Sequence, residues 1–183
     1  MKTEYTNDLK YALKYARTIK NCYNAWQKSK SGYKHQEKGV AYKNFLLIFC
    51  YGKIENTFKK IISDYFLRNG MPQRCIDFGN KIRDVLPGSM AKDKLNNWIK
   101  KECSIKWFDE IDRRCKDKNW FCKKKKTLLF NDAYLALTSL TNLRHDLAHG
   151  TNLYSGSPED IITYFIKSIA WLHEIDDIIK IIG

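Results

Sequence analysis

Along most of this chain apolar residues recur at spacings of three and four, the period of an amphipathic helix. Between Asp8 and Gln27 the series is Leu9, Ala12, Leu13, Ala16, Ile19, Tyr23 and Trp26, and Thr6 or Asn7 stands where a capping side chain belongs. From Lys28 to Lys38 almost nothing is apolar, so an exposed connection is expected there. The pattern resumes over Val40 to Arg68, with Leu47, Ile54, Phe58, Ile61, Ile62 and Tyr65 on the inner face, and Asn69-Gly70 followed by Pro72 supplies the stop.

The middle of the chain is less regular. It holds a short helical candidate at Gln73 to Val85, a turn at Leu86-Pro87-Gly88, and renewed helical spacing through Leu95, Trp98, Ile99, Ile105, Phe108 and Ile111. A basic stretch, Arg113 to Lys126, interrupts it. Another helix is expected from Thr127 to His149, with Ala136, Leu137, Leu140, Leu143 and Leu147 as its stripe and Gly150 just past its end. Ser157-Pro158-Glu159-Asp160 then combines an N-cap, a proline at the first helical position and the carboxylate of a capping box. Ile161, Tyr164, Phe165, Ile169, Leu172 and Ile175 carry the last helix almost to the C-terminus. No alternating run of β-branched residues competes, so the pattern predicts an all-α bundle of four main helices, with short helices inserted between the second and third.

Composition narrows the function classes. At 183 residues, with 44% hydrophobic content and only 3 Pro and 9 Gly, the chain can bury a core, which excludes disorder and suits one domain spanning 1–183. Lys and Arg number 33 against 20 Asp and Glu, a net +13 that favours a polyanionic partner, with nucleic acid first and an anionic membrane surface second. The 6 cysteines are scattered singly, with no finger-like spacing to histidine, so no metal site is expected. The longest apolar run, Phe45 to Tyr51, is far shorter than the roughly 20 residues of a membrane span. With Met-Lys-Thr-Glu-Tyr at the start and no apolar leader, a cytoplasmic chain with free thiols is expected.

Ionisable groups concentrate in Leu140-Thr-Asn-Leu-Arg144-His145-Asp146-Leu147-Ala148-His149-Gly150. An imidazole, with a reference pKa of about 6.5, can take a proton from a ribose 2′-hydroxyl or give one to a leaving 5′-oxygen near neutral pH. A guanidinium can grip the scissile phosphate and stabilise its growing charge. Arg144 and His149, five apart on a helix, point roughly 140° from one another, so they converge only if the helix unwinds or a second subunit supplies partners. His145 and His149, four apart, share a face. His145 can position substrate or serve only as surface; Asp146 can orient a histidine or pair with a nearby cation. A nucleophilic Ser or Cys with an adjoining base is not legible, and neither is a Gly-rich phosphate loop.

An Arg followed by four residues and a His, then Gly, a polar loop and a capped closing helix, resembles the HEPN superfamily. Leu-Arg-x-Asp-x-Ala-His-Gly is similar to the RiboL-PSP-like branch, and Ile54-Glu-Asn-Thr-Phe-Lys-Lys-Ile-Ile-Ser-Asp-Tyr65 is similar to its early core helix. The resemblance implies a metal-independent endoribonuclease without a cofactor, acting as a symmetric homodimer whose two motifs form one composite site. It also implies a setting in toxin-antitoxin or antiviral defence, with an antitoxin or defence-system protein as partner. It singles out Glu55 on the second helix, with Lys59 one turn beyond. Where some HEPN toxins carry Arg-x4-His-x-Tyr, with the tyrosine modified by an antitoxin, this chain has Thr151, which puts that regulation in doubt. For RNA contact the basic stretch offers Lys123, Lys124, Lys125 and Lys126 beside Trp120, whose indole suits stacking on bases. The alternative from another class is a non-catalytic HEPN module that binds RNA or nucleotide, or pairs with another protein.

Overall fold

The computed structural model describes residues 5–29, 33–71, 73, 133–150 and 154–182. Among these residues there are four long helices and no strand: α1 (Thr6–Gln27), α2 (Tyr33–Arg68), α3 (Ala133–Ala148) and α4 (Pro158–Ile182). The all-α bundle of four main helices expected from periodicity is therefore the observed one. The short inserted helices, and the basic stretch with Trp120 and Lys123 to Lys126, lie outside the described residues.

Helix directions follow from a few cross-contacts. The Tyr5 hydroxyl, just ahead of α1, donates to the Asp64 carboxylate near the end of α2, while Trp26 at the end of α1 meets Tyr42 near the start of α2. These two helices are antiparallel. Lys43 of α2 reaches the Gly156 carbonyl just before α4, and farther along Phe58 stacks on Trp171 with the same 113-residue separation, so α2 and α4 run parallel. A short loop returns α3 into α4 and the two pack against each other, giving an up-down-up-down bundle in which α2 and α4 touch across the middle. Leu47, Ile54, Phe58, Ile61 and Ile62 of α2 and Ile161, Phe165, Trp171, Leu172 and Ile175 of α4 are almost fully buried along this seam. The apolar stripe of α1, from Leu9 to Ile19, covers one side of it, and Ala136, Leu137 and Leu140 of α3 cover the other.

Two local expectations are corrected. Neither Thr6 nor Asn7 caps α1: Tyr5 occupies the cap position with no side-chain cap bond, and Thr6 is already helical and buried. Here the buried Tyr5 and its bond to Asp64 set the chain entry, so tertiary packing replaces the local cap. The connection expected from Lys28 to Lys38 is also shorter, because α2 begins at Tyr33. Gln, Glu and Lys are good helix formers, so lack of apolar residues did not mean lack of helix. Packing supports this early turn, since Gly39 lies against the Trp26 ring where a Cβ would come within 2.8 Å.

Both predicted helix stops are observed. At Gly70 (φ 65°) the Gly70 amide donates to the Leu67 carbonyl and the Met71 amide to the Phe66 carbonyl, which closes α2 in a Schellman motif. The capping box of α4 is formed as read: the Ser157 hydroxyl accepts from the Asp160 amide at 3.2 Å, and the Asp160 carboxylate accepts from the Ser157 amide at 3.1 Å. Glu159 beside it joins α4 to α1 through Lys20 at 3.2 Å and Asn24. Slight burial works against its charged form, yet its own backbone amide, Lys20 and Asn24 outweigh that and hold the carboxyl below its usual value. The described Cys22 and Cys50 are free thiols, and burial pushes the Cys50 thiol up. No described helix is long and apolar enough to cross a membrane.

Two stability predictions follow from this packing. Phe58→Ala removes one ring of the central stack and is expected to cost about 3–5 kcal/mol in chemical denaturation. On α4, burial holds the His173 imidazole below its usual pKa, with Asp177, Asp176 and Glu174 opposing more weakly. The unfolded chain therefore binds more protons there, and stability should fall as pH drops through roughly 6.5. Denaturation midpoints measured across that window should lose part of their slope in His173→Gln.

Candidate active site

The last turns of α3 carry the polar cluster because the turns before them are anchored. Leu137, Leu140 and Thr141 are buried against α2 and α4, and Thr141 uses its hydroxyl on the Leu137 carbonyl at 2.9 Å. Beyond them the helix reaches the end of the bundle where α2 and α4 begin, and its side chains emerge in three directions.

Arg144 turns back onto α2. Its guanidinium carbon lies 5.6 Å from the centroid of the buried Tyr51 ring, a cation–π distance. Tyr51 was not legible as a site residue from sequence; its one signal was a position one turn before Glu55 on the same helix face. Glu55, the family-suggested residue of α2, is half-buried there and receives Lys59, one turn beyond, at 2.6 Å in an i,i+4 ion pair. A helix-surface i,i+4 pair of this kind contributes roughly 0.3–0.5 kcal/mol. Its consequence is positional, since Lys59 presents its charge already neighboured by a carboxylate.

His145 and His149 point outward together. Both are exposed, and their ring centroids are 4.2 Å apart at an interplanar angle of 57°. The backbone beneath them closes the helix: the His149 amide donates to the His145 carbonyl at 3.0 Å and the Gly150 amide to the Leu147 carbonyl at 3.3 Å, with Gly150 at φ 63°. Because α3 stays regular to Ala148, Arg144 and His149 leave its axis about 140° apart. The structure thus joins Arg144 to Tyr51 and His145 to His149, two half-sites at one helix end.

Asp146 takes the third direction. It lines a cleft of about 600 Å³ between α3 and the start of α4, with Asn142, Tyr154 and Tyr164 among the other walls. Tyr154 donates its hydroxyl to the Ser157 carbonyl at 3.1 Å. Burial, with help from Asp160 and Tyr164, pushes its pKa up to about 12, so it stays a neutral phenol at physiological pH. Asp146 therefore sits among polar and aromatic groups of the cleft, three residues before His149 on α3. Sequence spacing missed this cleft because it depends on Tyr154, Ser155 and Gly156, ahead of α4, lying beside Ser139, Asn142 and Asp146 of α3.

The model of the RiboL-PSP-HEPN family matches residues 7–180. The chain belongs to the RiboL-PSP-HEPN family. Nothing matched it among curated proteins or among solved structures. The matched span runs from the first turn of α1 almost to the end of α4, so family membership covers all four described helices. It includes the Arg144 to His149 segment and the α2 residues Glu55 and Lys59.

In this RiboL-PSP-HEPN chain the residue after His149 is Gly150, whose backbone conformation only glycine adopts without cost. A Cβ at Gly150 would meet nothing within 4 Å, so Gly150→Ala isolates the conformational penalty at φ 63°. The expected loss is about 1 kcal/mol by thermal or chemical denaturation, and Gly150→Asn should lose less because Asn tolerates this region better.

Proposed function

We propose that this HEPN-family chain is a metal-independent endoribonuclease in which Arg144 and His149 carry the chemistry. The observation that carries the reading is the pairing of a guanidinium anchored on Tyr51 with two imidazoles exposed at the same helix end. In the proposed step one imidazole removes the proton from a ribose 2′-hydroxyl, whose oxygen attacks the adjacent phosphorus. The bond from phosphorus to the 5′-oxygen breaks, an acid protonates that oxygen, and the products end in a 2′,3′-cyclic phosphate and a 5′-hydroxyl. Arg144 binds the phosphate and offsets charge that grows on its oxygens. His145 positions the substrate beside His149, and Asp146 orients groups in the neighbouring cleft.

The divergence of Arg144 and His149 supports a composite site, in which one protomer's Arg144 works beside its partner's imidazoles across a two-fold axis. The same reading makes 1–183 one functional domain, places it in the cytoplasm, and assigns RNA contact outside the motif to Glu55 and Lys59, and to Trp120 and Lys123 to Lys126. Its setting is a toxin or antiviral defence effector held in check by a partner protein.

Purified protein should cleave total RNA in EDTA, and substitution of deoxyribose at the cut position should abolish that cut. His149→Ala is expected to lower the rate by roughly a hundredfold or more, the usual contribution of a general acid or base. Arg144→Lys should not restore full activity to Arg144→Ala, because an ammonium cannot bind phosphate in the bidentate manner. Products ending in a 3′-hydroxyl, or normal cleavage by His149→Ala, would reject the mechanism and favour the non-catalytic RNA-binding module. In sedimentation the active species should be a dimer.

A further inference from the structure

On the opposite side of α2 from Arg144 lies a second surface that the motif does not use. Phe49 and Tyr51 are two residues apart, so their side chains leave α2 about 200° apart. Tyr51 faces Arg144, whereas Phe49 faces α1, where its ring centroid is 5.1 Å from that of Tyr15. Around this pair runs an open groove of about 520 Å³ between α1 and α2, lined by Tyr11, Tyr15, Lys14, Phe49 and Lys53. It shares Asp8 and Lys53 with an adjoining hollow that continues to Asn56, Lys59 and Lys60 of α2.

The residues responsible form a short period-four pattern, Leu9-Lys10-Tyr11-Ala12 followed by Leu13-Lys14-Tyr15-Ala16. On a helix this period stacks like on like. Leu9, Ala12 and Ala16 are buried, which turns two parallel rows outward: Lys10 with Lys14, and Tyr11 with Tyr15. The tyrosines stay 73% and 52% exposed although rings of this size usually contribute burial. Members of a row are roughly 6 Å apart along the axis, comparable with successive bases of an extended single strand. Lys53 adds a cation 5.8 Å from the Phe49 ring centroid.

We propose that this groove binds single-stranded RNA, with Tyr11 and Tyr15 as stacking platforms for successive bases and Lys14, Lys53 and Lys60 along the phosphates. The proposal rests on the RNA reading above and adds a binding site distinct from the motif. Charge selects the occupant. Aromatic faces interleaved with lysines match bases and phosphates together, whereas a second copy docked face to face would set lysine rows against each other. Asp8, the one carboxylate among the described residues lining the groove, opposes a polyanion where the two hollows meet. An RNA held here would lie across the side of the bundle, so the site contributes affinity and directs the strand while the motif cuts.

The test is anisotropy of a fluorescein-labelled 2′-O-methyl oligouridine, which has no free 2′-hydroxyl to attack, with cleavage of total RNA measured in parallel. Tyr11→Ala/Tyr15→Ala should bind at least about tenfold more weakly, given what one stacked base contributes. Tyr11→Phe/Tyr15→Phe should bind as the unsubstituted chain does, because the rings remain. Lys14→Ala/Lys53→Ala should reduce the salt slope by about 0.7 for each lost phosphate contact, and Asp8→Asn should tighten binding. Weaker binding by the double alanine variant without any cleavage by the parent chain would support the groove and sink the nuclease reading alone. Unchanged binding by that variant beside an active parent overturns the groove alone, and a simultaneous change in its oligomeric state assigns the face to protein contact. A parent chain that neither binds nor cleaves RNA overturns both.

Discussion

The parallel contact between α2 and α4, with Trp171 stacked on Phe58 at its middle, is the constraint to which the remaining helices adapt. Two parallel helices cannot be joined by a short turn, so each must find an antiparallel neighbour beside it; α1 and α3 fill the two flanks. Full burial of each large ring along the seam contributes roughly 1.5–3 kcal/mol, more than any ion pair at the surface of this bundle. The polar ties act at the ends: Tyr5 to Asp64 at one, Lys43 to Gly156 and Lys20 to Glu159 at the other. They fix entry points and axial register around a seam that apolar burial already holds.

That arrangement divides α2 into sectors with separate duties. Its inner face packs on α4, one flank accepts Phe49 against Tyr15, and the other presents Tyr51 to Arg144. Because α3 and α4 meet at a short loop, the end of α3 stands beside the start of α4 and the early part of α2, and the motif is held at that junction. The cluster is thus stiff at its root and open at its tip: Leu140 and Thr141 are buried, while His145 and His149 project into solvent. Such an end is suited to accept a ligand or a second protomer without disturbing the core. The helix C-terminus adds a partial negative charge that favours cationic side chains in its last turn.

Electrostatics inside α4 obey a different balance. Glu174 and Asp176 are fully buried, and Lys180 reaches Asp176 at 2.7 Å. A buried carboxylate is strongly unfavourable unless charge and hydrogen bonds compensate it, and Asp176 Oδ1 and Glu174 Oε2 are buried without a hydrogen bond among the described residues, so Ile175 and Ile178 supply the packing that holds these turns. An amphipathic reading would assign those acids to solvent, since hydrophobic period alone says nothing about which polar positions a neighbour will cover.

Much of the framework was legible in the sequence because it rests on local rules. Period-four apolar spacing located the four long helices, Gly70 and Gly150 marked their stops through backbone conformation, and Ser157 with Asp160 marked a start through reciprocal capping. The Arg144 to His149 spacing carried the resemblance to the family that the match over residues 7–180 then showed. Local rules failed where a distant partner decided the outcome: Tyr5 displaced the expected cap of α1 through Asp64, and Trp26 against Gly39 accompanied a helix start earlier than the polar stretch suggested. The site divides in the same way. Sequence determined which reactive groups stand at the end of α3 and that Arg144 and His149 must diverge, because helical geometry depends only on their separation. Only the tertiary structure decided that Arg144 docks on Tyr51, that Asp146 enters a cleft with Tyr154 and Tyr164, and that Tyr11, Tyr15 and Phe49 form one surface, because each contact joins residues whose proximity is set by helix packing.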